Sequence, residues 1–192
     1  MAENETSDEA EVDEHGLAIQ KYVSMVLVVV PEHGYAETTF RYVRSALYNV
    51  HVGTRSVSTV DQELIKGHLQ DEFQVDGTVK EEDMSAYSGV IFCGGEGSLS
   101  LVDDSDAVRL AQEAAAQKKL IAAWGHSVAI LAKAGVLKKK KVTGDPSIRP
   151  AIEAAGGKYT GTQVQRDGMI VTAIDDAAGL RLGRQLIRFV GI

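Results

Sequence analysis

Four short stretches offer side chains able to do chemistry together: Glu32-His33, Cys93-Gly94-Gly95-Glu96, Gly125-His126-Ser127 and Asp175-Asp176. The third is the most informative. Residues 120–134 read as a buried strand, a sharp turn and a helix, and a strand-to-helix elbow lifts one side chain clear of the sheet, where a nucleophile would stand. The elbow position is Gly125, which has no side chain to attack with. Covalent catalysis needs a nucleophilic atom, so the turn is expected to have the form of a catalytic elbow without its reactive group.

The neighbouring residues could still build a pocket. Gly94-Gly95, after an apolar strand, would let backbone N–H groups come close to an oxyanion or carboxylate, with the His126 N–H joining them. A plain tight turn explains the pair equally well. His126 fits a base, a donor to a bound ligand, or a histidine packed at a helix start. Ser127 is as good an N-cap as a nucleophile, and Cys93 reads as a redox-sensitive thiol or as a small buried residue. Glu96 and Glu32 are candidates for acid–base work with His126. Asp175-Asp176 either caps the last helix or lines the site, and Trp124 is core or pocket wall. His15, His51 and His68 lack ligand spacing, and one cysteine excludes an internal disulfide and a multi-cysteine zinc site. Neither metal nor cofactor is expected.

The elements that must position these groups alternate between strand and helix, the pattern of a mostly parallel sheet covered on both faces. Ser24–Val30 is a continuous apolar, β-branched run, as a strand buried on both sides requires. It ends in Pro31-Glu32-His33-Gly34, and Thr38–Leu47 follows with helical spacing. Val50–Val57, Gly89–Phe92, Leu120–Trp124 and Val142–Gly144 read as further strands. Leu64-Ile65 and Phe73–Val75 fit a hairpin or edge excursion. Asp106–Ala116, Val128–Ala134, Pro146–Ala155 and Gly179–Val190 read as helices. Lys158–Gln165 and Met169–Ala173 flank Arg166-Asp167-Gly168, a hairpin signal. In such sheets ligands bind at the carboxyl ends of the strands, which is where the four chemistry-bearing stretches lie.

A chain of 192 residues with 44% hydrophobic content has enough interior for one core. Its formal charge of −7 is local, because residues 1–16 hold seven acids and no Lys or Arg. Removing those seven from the 27 acids leaves 20 against 20 bases. Residues 1–22 are therefore expected to be an acidic solvated arm and residues 23–192 a single domain. The run Lys138–Lys141 reads as a solvated turn in a neutral body, not a nucleic-acid surface. No secretory signal or bilayer-length apolar run is visible. A cytoplasmic protein engaging neither membrane nor nucleic acid is expected.

Four of these segments, in order, resemble the ThiJ/PfpI superfamily, which includes intracellular-protease-like proteins and glyoxalase-type and deglycase-type enzymes. Ser88–Gly95 is similar to that family's strand ending in Pro-Gly-Gly, with Cys93 in place of the proline. Leu120–Ala134 resembles its Ala-Ala-Ile-Cys-His-Gly-Pro elbow. Lys141–Arg149 resembles a Thr-Gly-His-Pro-Ser-Ile-Arg stretch, and Asp167–Thr172 an Asp-Gly-Asn-Leu-Ile-Thr stretch. The resemblance implies a three-layer α/β/α sandwich of the flavodoxin-like, class I glutamine amidotransferase-like kind, and a homodimer.

The departures fall on the chemistry. The family's elbow cysteine maps to Gly125, its histidine is kept as His126, and the Gly-Pro that follows becomes Ser127-Val128. The family also has an acid near the first strand that orients the cysteine. Here Ala36, Thr38 and Thr39 compete for that place, and Glu37 is the only acid nearby. The expected reading is a member without cysteine chemistry, a pseudoenzyme that binds a small anionic or carbonyl ligand through Gly94, Gly95, Glu96, His126, Ser127, Glu32 and Asp175. The alternative is an enzyme with relocated chemistry, using His126 with Cys93, Ser127 or a carboxylate on small carbonyl compounds or peptides.

Overall fold

The computed structural model describes residues 21–61 and 64–190. In chain order the elements are β1 (Ser24–Val29), β2 (His33–Tyr35), α1 (Glu37–Tyr48), β3 (Val52–Ser58), β4 (Leu64–Gly67), β5 (Glu72–Gln74), β6 (Gly77–Thr78), β7 (Gly89–Phe92) and α2 (Ser105–Ala116). They continue with β8 (Leu120–Trp124), α3 (Val128–Lys133), β9 (Lys141–Val142), α4 (Arg149–Ala154), β10 (Lys158–Tyr159), β11 (Val164–Asp167), β12 (Ile170–Ala173) and α5 (Gly179–Val190). The acidic residues 1–16 lie outside the described residues.

The main sheet runs β11-β12-β8-β7-β1-β3-β6. Every neighbouring pair in it is parallel except β11–β12, an antiparallel edge hairpin. Because side chains alternate along a strand, each central strand feeds two cores. Leu27 and Val29 pack with α2, α3 and α4 through residues such as Leu110, Ile130 and Ile152. Val26, Val28 and Val30 pack on the other face with Phe40, Val43 and Leu47 of α1 and Leu182 and Leu186 of α5. The result is the expected α/β/α layering.

Two stretches depart from the sequence-based reading. The sequence reads Pro31–Gly34 as a breaker cluster, but His33 and Gly34 belong with Tyr35 to β2, which pairs with the β4–β5 hairpin in a separate three-stranded sheet. Its partner is distant in sequence, His33 pairing with Lys66 and Tyr35 with Gly67, so no local pattern announces it. Lys158–Gln165 was expected as one arm of a hairpin but is split. Lys158 and Tyr159 pair in parallel with β9, the chain turns at Gly161 with φ +64°, and only Val164–Asp167 pairs with β12. Among the described residues no helix is long and apolar enough to cross a membrane.

Candidate functional site

The connections leaving β1 and β7 run in opposite directions across the sheet, to β3 on one side and β8 on the other. Such a reversal opens a crevice at the carboxyl ends of the strands. Its floor is held by main-chain contacts: the Ala36 N–H donates to Gly94 O (2.9 Å) and the Asp145 N–H to Gly125 O (3.2 Å).

Two glycines at the crevice differ in what requires them. At Gly95, φ is +106° and an added Cβ would lie 2.2 Å from Gly34 O, so conformation and space both demand glycine. At Gly125, φ is +60°, but an added Cβ would meet no heavy atom nearer than Gly95 N, 4.0 Å away. Only the backbone angle disfavours a side chain there. The elbow geometry is preserved, and the room above it opens into a cavity of about 220 Å³.

The cavity wall includes Gly95, Glu96, Trp124, Gly125, His126 and Asp175, together with Ala36, Glu37, His68, Leu69, Asp145 and Asp176. Four of its carboxylates are bound to the protein's own backbone. Glu37, only 2% exposed, accepts the Leu69 N–H at 2.5 Å. Asp176 accepts the Thr39 N–H at 2.8 Å, and the Thr39 hydroxyl donates to Asp176 O at 2.7 Å, tying the start of α1 to the approach to α5. Asp175 accepts the Ala178 N–H at 3.2 Å. Asp145 accepts from the Ser147 N–H (2.8 Å) and hydroxyl (2.6 Å).

Asp145 also faces the retained histidine, its Oδ1 lying 3.6 Å from His126 Nε2. Burial works against the charged Asp145 carboxyl, but the Ser147 hydrogen bonds and His126 together outweigh it and hold its pKa below the usual carboxylate range. An imidazole beside a carboxylate at the mouth of a cavity can donate to, or exchange a proton with, a polar ligand group.

The structure separates the residues expected at the site. Gly95, Glu96, Gly125, His126 and Asp175 line one cavity. Gly94, Ser127, Glu32 and Cys93 do not line it. Gly94 is packed under Trp124, where an added Cβ would lie 2.4 Å from Trp124 O. Ser127 is fully buried: its hydroxyl oxygen accepts the Trp124 N–H at 3.1 Å and lies 2.9 Å from both Phe92 O and Trp124 O. It fastens the ends of β7 and β8 together, so Ser127 is corrected on both counts: it is neither a ligand-binding residue of the cavity wall nor the nucleophile of the alternative reading. Glu32 accepts from the Thr59 hydroxyl at 2.5 Å, and its other oxygen lies 4.0 Å from the exposed His33.

Cys93 follows the alternation of β7 into the core shared with α1 and α5, with no exposed surface. Burial pushes its thiol pKa well up; the Asp176 and Glu37 carboxylates add to the rise, against a backbone hydrogen bond from Ala36. Nucleophilic attack needs the thiolate, so the alternative of relocated chemistry at Cys93 is corrected too. The sequence reading missed Asp145 and His68 and left Glu37 unplaced. Asp145 stands where the resembling stretch carries a histidine, a signal that was present. His68 arrives through the β4–β5 hairpin, a long-range placement with no local sign. Among the described residues no group of three or more His, Cys, Asp or Glu side chains is arranged to hold a metal ion.

Protein DJ-1 homolog D of Arabidopsis thaliana is 31% identical over 112 residues, 56% of this chain and 28% of that protein. The uncharacterized protein MJ0967 of Methanocaldococcus jannaschii is 32% identical over 124 residues, 61% of this chain and 58% of that protein. Each match therefore spans less than two thirds of the relative's length. The crystal structure of a ThiJ/PfpI domain protein from Brachyspira murdochii superposes with a TM-score of 0.83 at 22% identity, covering 88% of this chain and 96% of that one. That likeness concerns the fold. A family model, DJ-1/PfpI, matches residues 24–188.

Proposed function

The chain belongs to the DJ-1/PfpI family, and from that premise we propose that it is a non-catalytic member that binds a small neutral carbonyl compound in the cavity above Gly125. One observation carries this reading: the elbow keeps its left-handed backbone and the open room above it, while the two side chains that could replace a lost nucleophile, Cys93 and Ser127, are buried elsewhere. A ligand carbonyl over Gly125 would face the Gly95 backbone and the His126 imidazole, both on the cavity wall. Of the two ligand classes expected from sequence, the neutral carbonyl is favoured over the anion. The wall carries the five carboxyl side chains of Glu37, Glu96, Asp145, Asp175 and Asp176, and like charges repel strongly where water is scarce.

The closeness of His126 to Asp145 favours one second reading, acid–base turnover of a carbonyl substrate without a covalent intermediate. The test pairs binding with turnover. Small neutral amides and ketones, with acetate as the anionic control, are titrated against the protein while amide resonances of Gly95, Gly125 and His126 are followed. Glyoxals, small esters and peptides are assayed with the wild-type chain and with His126→Ala. Saturable shifts with the neutral probes and no turnover support the proposal. Clear turnover abolished by His126→Ala overturns it in favour of the second reading, and shifts with acetate alone overturn the ligand class.

A further inference from the structure

The strongest unassigned feature lies outside the cleft, where α5 runs beside the edge strand β11. A groove of about 560 Å³ there is lined by Arg181, Arg184 and Arg188 with Thr162, Gln163, Val164 and Gln185. The wall carries guanidinium, amide and hydroxyl groups and no acid. The three arginines are exposed, and none makes an ion pair or side-chain hydrogen bond among the described residues, although other arginines do. Arg41 is paired with Asp71, Arg55 with Glu82, Arg109 with Asp106 and Glu113, and Arg149 with Glu153. A second surface groove, beside α1, also holds two arginines. There Arg41 has its carboxylate and Arg44 donates to the Thr54 hydroxyl and stacks over Phe40 and Phe73. Of the two grooves, the one beside α5 presents its guanidiniums without partners among the described residues.

We infer that this groove receives the acidic segment 1–16 of the same chain. Charge complementarity is the first argument. Residues 17–192 are formally neutral, so the arginine row is a local field in a neutral body. Residues 1–16 hold seven carboxylates and no Lys or Arg. Spacing is the second. Arg181 to Arg188 on one helix spans about 10 Å at 1.5 Å per residue. Glu9, Glu11 and Asp13 alternate with Ala10 and Val12, and in an extended segment alternate residues share a face, putting three carboxylates over about 13 Å. Reach is the third. Four strand spacings, about 19 Å, separate β1 from β11, and Val164 lies about 26 Å along the strand direction from the level of Tyr22, about 32 Å in all, whereas the chain from Glu9 to Tyr22 can extend to about 43 Å. Arginine forks hold carboxylates through paired, charge-assisted hydrogen bonds, and several such pairs acting together contribute where a lone surface pair is weak.

The experiment uses the full chain with Val12→Cys carrying a nitroxide; Cys93 has no exposed surface, so the new thiol takes the label. At low salt, amide signals of residues 162–164 and of the exposed face of α5 are expected to weaken about threefold or more relative to β6. They should recover at about 0.5 M salt, where the Debye length falls to the order of 4 Å. Replacing the three arginines by Gln, or separately changing Glu9→Gln, Glu11→Gln and Asp13→Asn, should abolish the weakening. Absence of selective weakening, weakening that survives both sets of changes, or weakening seen only between a labelled copy and a separate isotope-enriched copy overturns the inference. The last outcome would assign the groove to a second copy's arm.

Discussion

In the cleft above Gly125, four wall carboxylates each accept a backbone N–H: Glu37 from Leu69, Asp145 from Ser147, Asp175 from Ala178 and Asp176 from Thr39. In the groove beside α5, three guanidiniums face solvent with no partner among the described residues. Both regions are charged, but their charges do different work. The cleft carboxylates start helices and hold loops in place, so the pocket's shape and the fold's stability depend on the same atoms. The groove arginines make no hydrogen bond or ion pair among the described residues, so their charges hold no element of the described fold in place. A charged residue that satisfies its own backbone is read first as structure; one left unsatisfied is read first as a place for something to bind.

Unfolding measurements can break or sharpen this contrast. The largest effect is expected for Trp124→Ala, because the indole is fully buried at the cleft wall. Its loss should cost about 3–5 kcal/mol in urea unfolding. Trp124→Phe should cost less, about 1–2 kcal/mol, since it keeps part of the ring volume and removes an Nε1 donor that has no partner among the described residues. Equal losses for the two variants would mean that the wall does not act through packing.

A smaller effect is expected from Asp145. Its folded pKa is depressed, so the stability it contributes is present above the unfolded carboxylate value of about 3.9 and fades as pH falls through the lower folded value. The difference in Tm between the wild type and Asp145→Asn should therefore be greatest near neutrality and shrink on acidification through that window. A difference that grows as pH falls would reverse the sign of the argument. The smallest effect is expected in the groove. Replacing Arg181, Arg184 and Arg188 by Gln should shift stability by no more than about 0.5 kcal/mol each, because exposed charge pairs contribute little to folding. Losses as large as that of Trp124→Ala would erase the distinction between the two regions.

Much of the layered fold was legible in the chain because its signals are local. The apolar run from Ser24, the glycine pair after Phe92 and the periodic apolar faces of α1, α2 and α5 each declare an element within a dozen residues. The site was legible only in part. Gly95, Glu96, Gly125, His126 and Asp175 sit at strand ends, so knowing that ligands bind there was enough to bring them together. Cys93 and Ser127 stand in the same loops but point elsewhere. Strand alternation sends the thiol into the α1–α5 core, and two carbonyl oxygens surround the serine hydroxyl.

The sequence by itself determined that position 125 carries no nucleophile and that the acidic charge is gathered in residues 1–16, since both are facts of residue identity. The tertiary structure alone decided that Glu37 is buried at the cleft, that His68 enters from a distant hairpin, that His126 faces Asp145, and that three arginines of α5 share one groove. Those arrangements depend on which strands become neighbours and how helices lie across them. Such long-range choices are made by the burial of whole faces, and no single stretch of chain records them.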